Sequence, residues 1–183
     1  MNYYSVIFST SMGSMAFVWY LEKNKFFVHR VYLPRPLKQL LSLIKKDYPD
    51  IKRRHHVKAK RIVRDLKRAV KGELVDFRYI PIQHEKMTTL QKKVYNRQRK
   101  IPRGQVLSYG ELASKCGLSG GASRVVGSFQ ARNPFPLVIP CHRIVLSDRS
   151  LGSFQTGAKM KRELLEREGV RFEKKNAKFY AVR

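Results

Sequence analysis

Residues 138–145 read VIPCHRIV, which sets a thiol, an imidazole and a guanidinium, Cys141, His142 and Arg143, side by side in an apolar run. A cysteine attacks as its thiolate, and neighbouring donors and positive charge favour that form, so this triplet reads as a candidate nucleophile with its activators. Pro140 and the preceding NPFP restrict the backbone, which predicts that Cys141 sits at a fixed turn or strand end. The plain alternative for a lone cysteine is a small buried hydrophobe. Metal binding is a poor fit, because two adjacent ligands with no further Cys or His cluster do not close a zinc site. A cysteine hydrolase would need an oriented base and an oxyanion hole, and no signature of either is recognisable.

The elements around the triplet follow from periodicity and capping. Ser108 and Glu111 have capping-box spacing, which places Tyr109 in the first turn of a helix over SYGELASKCGL. GASRVVGSFQAR and AKMKRELLEREG read as further helices, and the pair joined by GLSGG has helix-turn-helix spacing. Thr88 and Gln91 form a second capping-box pattern for a helix running to about Lys100. Nearer the N-terminus, YYSVIF, MAFVWYL and FFVHRVYL predict an antiparallel sheet of about three strands, with a turn at EKNK. Leu37, Leu40, Leu41 and Ile44 trace a helical stripe, and a second helix is expected from about Val57 to Val70. VDFRYIPIQHE looks extended, with a domain boundary near Glu85.

The chain has 183 residues, 43% of them hydrophobic, so it can build one large core or two small ones. Against 13 acids stand 39 Lys or Arg, a formal charge of +26, which favours a polyanionic partner: nucleic acid first, an anionic membrane surface second. Ten of these cations lie in residues 52–71 beside one acid, Asp65, and KKVYNRQRKIPR carries six more and no acid. The ordinary reading of such runs is a solvated helix face. With only Cys116 and Cys141, a disulfide scaffold is excluded in practice and a reducing interior is expected. The N-terminal stretch lacks a basic n-region and is broken by serines, so neither a signal peptide nor a span is expected.

Together, GQVLSYGELA, SRVVG, ARNPFPLVIPCHRIV and ELLEREG resemble the O6-alkylguanine-DNA alkyltransferases, or methylated-DNA–protein-cysteine methyltransferases, in order and spacing from about residue 90 to 169. The resemblance implies that Cys141 accepts an alkyl group from guanine O6, with thymine O4 a second candidate donor, as a thioether that never leaves. Each molecule would act once, as a suicide methyltransferase in DNA repair, with no cofactor and no metal. His142 resembles the base that deprotonates the thiol through a water, Glu168 the carboxylate that orients it, and Asn133 the organiser of the active-site turn. Tyr109 resembles the donor to the departing guanine. Arg124 matches the residue that fills the gap left by the flipped nucleotide, Gly127 the small residue that admits the recognition helix to the minor groove, and Ser123 and Arg143 further DNA contacts. Ile144, Gln130, Gln155, Thr156 and Gly157 fall at the base pocket; Thr156 replaces a usual glycine, and Gln130 stands where an apolar residue is common.

The fold so implied is α/β: an N-terminal ribonuclease-H-like antiparallel sheet with helices over residues 1–85, a mostly helical DNA-binding and alkyl-acceptor domain with a helix-turn-helix over 86–170, and a basic tail over 171–183. The implied partner is duplex DNA containing O6-alkylguanine, bound by a monomer without membrane attachment, in the cytoplasm at the nucleoid of a prokaryote or in a eukaryotic nucleus. The rival readings are a non-catalytic alkylated-DNA recognition protein, a helix-turn-helix regulator and a cysteine hydrolase.

Overall fold

A computed structural model describes residues 2–54, 56–82, 87–175 and 178–182. The chain divides into two compact units, the first comprising Met1–Val70, Val75–Lys86 and Pro134–Val138, the second Lys71–Leu74, Met87–Asn133 and Ile139–Arg183. The boundary expected at Glu85 lies outside the described residues. The division is not a single cut, because two short stretches cluster with the unit remote from them in sequence.

In the first unit β1 (Tyr3–Thr10), β2 (Gly13–Glu22) and β3 (Lys25–Arg35) form an antiparallel meander. The β2–β3 connection is two residues long, and Lys23 and Asn24 both take positive φ, 47° and 59°, as a tight hairpin turn with the twist of its strands requires. After α1 (Leu37–Asp47) the two-residue β4 (Lys52–Arg53) pairs parallel to β1, giving the order β3-β2-β1-β4. Met15 to Tyr20 of β2 are all inaccessible to solvent, so this strand is buried on both faces. On one face Ala16, Val18 and Tyr32 pack with Leu40 and Ile44 of α1; on the other, Trp19 stacks on Phe26 and lies against His56. Helix α2 (Val57–Val70) buries Ala59, Ile62, Leu66 and Val70, the stripe its periodicity predicts.

The second unit contains α3 (Thr89–Gln98), β5 (Leu107–Ser108), α4 (Tyr109–Lys115), α5 (Ala122–Ala131), β6 (Ile144–Val145), α6 (Ala158–Arg167), β7 (Phe172–Lys175) and β8 (Lys178–Ala181). At α3 only half of the anticipated capping box forms: the Gln91 N–H donates to Thr88 Oγ1, but the Gln91 amide turns to Tyr95 Oη instead of back to the cap. At α4 the box is complete. Residues 171–183, expected as a tail, instead carry an antiparallel hairpin of β7 and β8. Its Ala181 is buried with Leu151, Leu165 and Val170, and Phe172 and Phe179 pack beside them, so apolar residues spaced through a basic segment are what fold it. Among the described residues no helix is long and apolar enough to cross a membrane.

Candidate active site

The cysteine is presented by a sequence-built turn. Pro140, at φ −76° and ψ 74°, forms an inverse γ-turn in which the Cys141 N–H donates to the Ile139 carbonyl at 2.8 Å. Asn133 Nδ2 donates to the same carbonyl, also at 2.8 Å, and locks the turn from inside. Cys141 to Arg143 then make a single 3₁₀ turn that runs into β6. Strand β6 pairs parallel with β5, Leu107 against Ile144 and Ser108 against Val145, and so ties the start of α4 and its Tyr109 to the cysteine turn.

Cys141 is 5% exposed and unpaired. Burial pushes its thiol up from the ordinary value, against the downward pull of Asn133, the Lys161 ammonium and the backbone amides of Cys141 and His142. The neighbouring donors and charge pull towards the thiolate, but desolvation outweighs them, and the resting group is a thiol. It needs a base. His142 is buried, and desolvation holds its imidazole neutral despite the carboxylate beside it. Its Nε2 lies 2.9 Å from Glu168 Oε1. Burial alone would raise Glu168, but His142 and Arg143 more than offset this and hold the carboxyl at about 2. An ionised Glu168 only accepts, so Nε2 carries the hydrogen and Nδ1 keeps its lone pair. Nδ1 is buried and meets no hydrogen-bond partner among the described residues.

Arg143, expected at the DNA, is engaged within the protein: Nε and Nη2 clamp Glu168 at 2.9 and 2.8 Å, and Nη1 donates to the Ile101 carbonyl at 2.6 Å. Three of its five N–H donors are thereby committed.

A cavity of about 210 Å³ opens on the thiol, lined by Tyr109, Gly127, Gln130, Cys141, Phe154 and Gln155 with Ala131 and Ser153. Burial raises the Tyr109 phenol, which is therefore a hydrogen-bond donor throughout the neutral range. Gln155 Nε2 donates to the Asn133 carbonyl at 2.9 Å and fastens the 153–155 loop over the turn. Gln130 is buried at the wall and accepts from Gln98 Nε2 at 2.8 Å. Of the other expected pocket residues, Ile144 lies behind the turn and gives its carbonyl to Lys161, and Thr156 reaches Met160 Sδ. Gly157, at φ 89°, precedes α6; none of the three lines the cavity. A second cavity, about 480 Å³, continues from the first through Tyr109, Gly127 and Ser153 and is bordered by the exposed Ser123 and Arg124.

Sequence reasoning missed Lys161, Ser153 and Phe154. Lys161 is inaccessible to solvent, its ammonium donating to the Ile144 carbonyl at 2.5 Å and to that of Leu151. Desolvation lowers it to about 8, against the pull of Cys141. Its signal was present: Lys161 shares the core-facing stripe of α6 with Leu164 and Leu165, where a cation is out of place unless partnered. Cys116 caps α4, is buried and lies outside the cavity lining. Among the described residues no group of three or more His, Cys, Asp or Glu side chains is placed to hold a metal.

Residues 89–170 match the family model described as 6-O-methylguanine DNA methyltransferase, DNA binding domain. The methylated-DNA–protein-cysteine methyltransferase of Methanopyrus kandleri is 41% identical over 107 residues, 58% of this chain and 78% of that protein. That of Methanothermobacter thermautotrophicus is 40% identical over 114 residues, 62% of this chain but only 63% of the relative, so the match spans just under two thirds of it. Among solved structures, Mycobacterium tuberculosis OGT in complex with DNA superposes with a TM-score of 0.69 at 25% identity, covering 92% of both chains. The O6-methylguanine-DNA methyltransferase of Pyrococcus kodakaraensis KOD1 gives 0.65 at 26% identity, over 92% of this chain and 99% of that one.

Proposed function

Because this chain belongs to the methylated-DNA–protein-cysteine methyltransferase family, we propose that it repairs alkylated guanine in DNA by moving the O6 alkyl group irreversibly to Cys141. The observation that carries the reading is the cavity on the buried thiol, backed by a neutral imidazole whose Glu168 bond leaves Nδ1 basic.

In this reading a water between Cys141 and His142 Nδ1 passes the thiol proton to the imidazole as sulfur attacks the alkyl carbon. The carbon–O6 bond breaks, its electron pair stays on guanine, and the leaving base is protonated or hydrogen-bonded by Tyr109. The product is an intact guanine and a thioether on Cys141. Acceptor and alkyl group are both consumed, so the chemistry calls for one turnover and no cofactor. Asn133 sets the turn, and Glu168 sets the tautomer. Gln130 and Gln155 at the cavity wall supply polar edges to the incoming adduct.

The partner we propose is duplex DNA containing O6-alkylguanine, engaged through the minor groove by α4 and α5 acting as a helix-turn-helix, with the protein a monomer working beside the chromosome. Ser123 and Arg124 border the second cavity on α5, where an exposed guanidinium is suited to fill the space of a flipped nucleotide. The meander with its parallel edge strand, order β3-β2-β1-β4, we read as ribonuclease-H-like support.

The test is the intact mass of the protein after incubation with an oligonucleotide containing O6-methylguanine, followed by peptide mapping. One added methyl per molecule on Cys141 is expected. An unchanged mass with tight lesion binding and a reduced thiol makes the protein a recognition module instead.

A further inference from the structure

The site just described uses none of the charge concentrated on the first unit. There, β4 exposes Lys52 and Arg53, and α2 exposes Lys58, Lys60, Arg61, Arg64, Lys67 and Arg68. The only acid of α2, Asp65, is buried beneath them. It accepts from Tyr79 Oη at 2.7 Å and Arg64 Nε at 3.0 Å, with Arg61 and Arg68 at 3.7 and 4.0 Å. One carboxylate thus holds three guanidiniums in a row, and Arg61 is further fixed over the Tyr79 ring at 3.8 Å. Among the described residues Lys58, Lys60 and Lys67 make no ion pair.

The rest of the helix decides what such a face can meet. Its apolar stripe is spent on the protein core, and the one large apolar side chain it exposes is Val57 at its very start. A helix that lies in a lipid interface needs an apolar face to insert, and α2 has none left. What remains is a row of cations repeating about every 5 Å along the axis. Duplex DNA offers the matching dense array, with a phosphate per ~1.7 Å of its axis.

We propose that α2 and the adjoining strand β4 form a second DNA-backbone surface, indifferent to sequence and to damage, on the unit that does not carry the thiol. It goes beyond alkyl transfer: it would hold the protein on undamaged duplex, where lesions must be searched for, by counterion release alone.

The full chain carrying Lys58→Gln, Lys60→Gln and Lys67→Gln tests this, since these side chains are exposed, make no ion pair among the described residues, and leave the Asp65 network intact. Affinity for an undamaged duplex is read by anisotropy across a salt series. The slope of log Kd against log salt is expected to fall by about 0.9 for each lysine against phosphate, up to about 2.7 for all three. The triple Lys→Arg variant is expected to keep the slope, and an unaltered melting temperature shows that the fold is retained. An unchanged slope in the Gln variant overturns the proposal. So does the same variant losing affinity for phosphatidylserine vesicles while its DNA slope stays put, which would assign the face to a membrane. Because the duplex is undamaged, the slope decides this surface whether or not the thiol transfers alkyl groups.

Discussion

At Cys141 the chemistry is decided by a contest between burial and its neighbours, and burial prevails. Cys141→Ser is therefore expected to keep its affinity for DNA and to show no mass gain on exposure to the lesion. Retained transfer would move the acceptor role to Cys116. His142 is held below its ordinary 6.5, so it stays neutral and basic down to mildly acid pH and is lost as a base only when protonated below that value. The transfer rate is accordingly expected to be flat through neutrality with an acid limb below about pH 6.5, read by stopped reactions analysed by mass. Glu168→Gln removes the group that fixes the imidazole and breaks the Arg143 clamp, and a loss of roughly 100-fold or more in rate is expected. Glu168 sits at about 2 in the fold against an ordinary 4.5, so it stabilises the protein above pH 4.5 and that stability is lost as pH falls towards 2. The Gln variant should lack this part of the acid sensitivity in pH-dependent melting. The adjacency of Cys141, His142 and Arg143 in the sequence did not say which partner each side chain would take. His142 and Arg143, successive in the 3₁₀ turn, converge on the one carboxylate of Glu168, 25 and more residues away in the chain.

At the scale of elements, α5 combines an exposed Arg124 with a glycine in its middle. A Cβ on Gly127 would meet the Tyr109 ring at 3.9 Å, an ordinary contact, so packing among the described residues does not demand glycine there. Gly127→Ala is expected to raise the stability of the free protein by up to about 1 kcal/mol, the intrinsic helix preference, while weakening duplex binding. A variant that is more stable and binds equally well would remove the close-approach role. Arg124→Ala is expected to slow repair in duplex DNA more than uptake from free O6-alkylguanine, because only a duplex leaves a gap to fill; equal losses on both would refute the wedge. These helices were legible from local rules: the Ser108–Glu111 box forms as its spacing predicts, and Val57–Val70 is found at its expected limits. The β5–β6 pairing that brings Tyr109 beside Cys141 was not legible, since two strands of two residues each carry no periodicity.

For the whole molecule, the C-terminal hairpin is a structural part of the second unit. Ending the chain after Arg171 uncovers Leu151, Leu165 and Val170, and a loss on the order of 3 kcal/mol is expected from the apolar area exposed, visible as a lower melting temperature. An unchanged melting temperature would restore the reading of a tail. The net charge of +26 bears on partners more than on fold, and its uneven placement along residues 52–71 distinguishes the first unit's surface. By itself the sequence determined which side chains adjoin Cys141 in the chain, the caps and the amphipathic stripes, because these depend on residue type and on spacing within a few turns. Tertiary structure alone decided that burial keeps Cys141 a thiol, that Arg143 turns inward, that Lys161 stands buried near the sulfur, and that Pro134–Val138 clusters with a unit distant in sequence. Desolvation and long-range pairing depend on what the rest of the chain brings to a residue, and no local pattern carries that information.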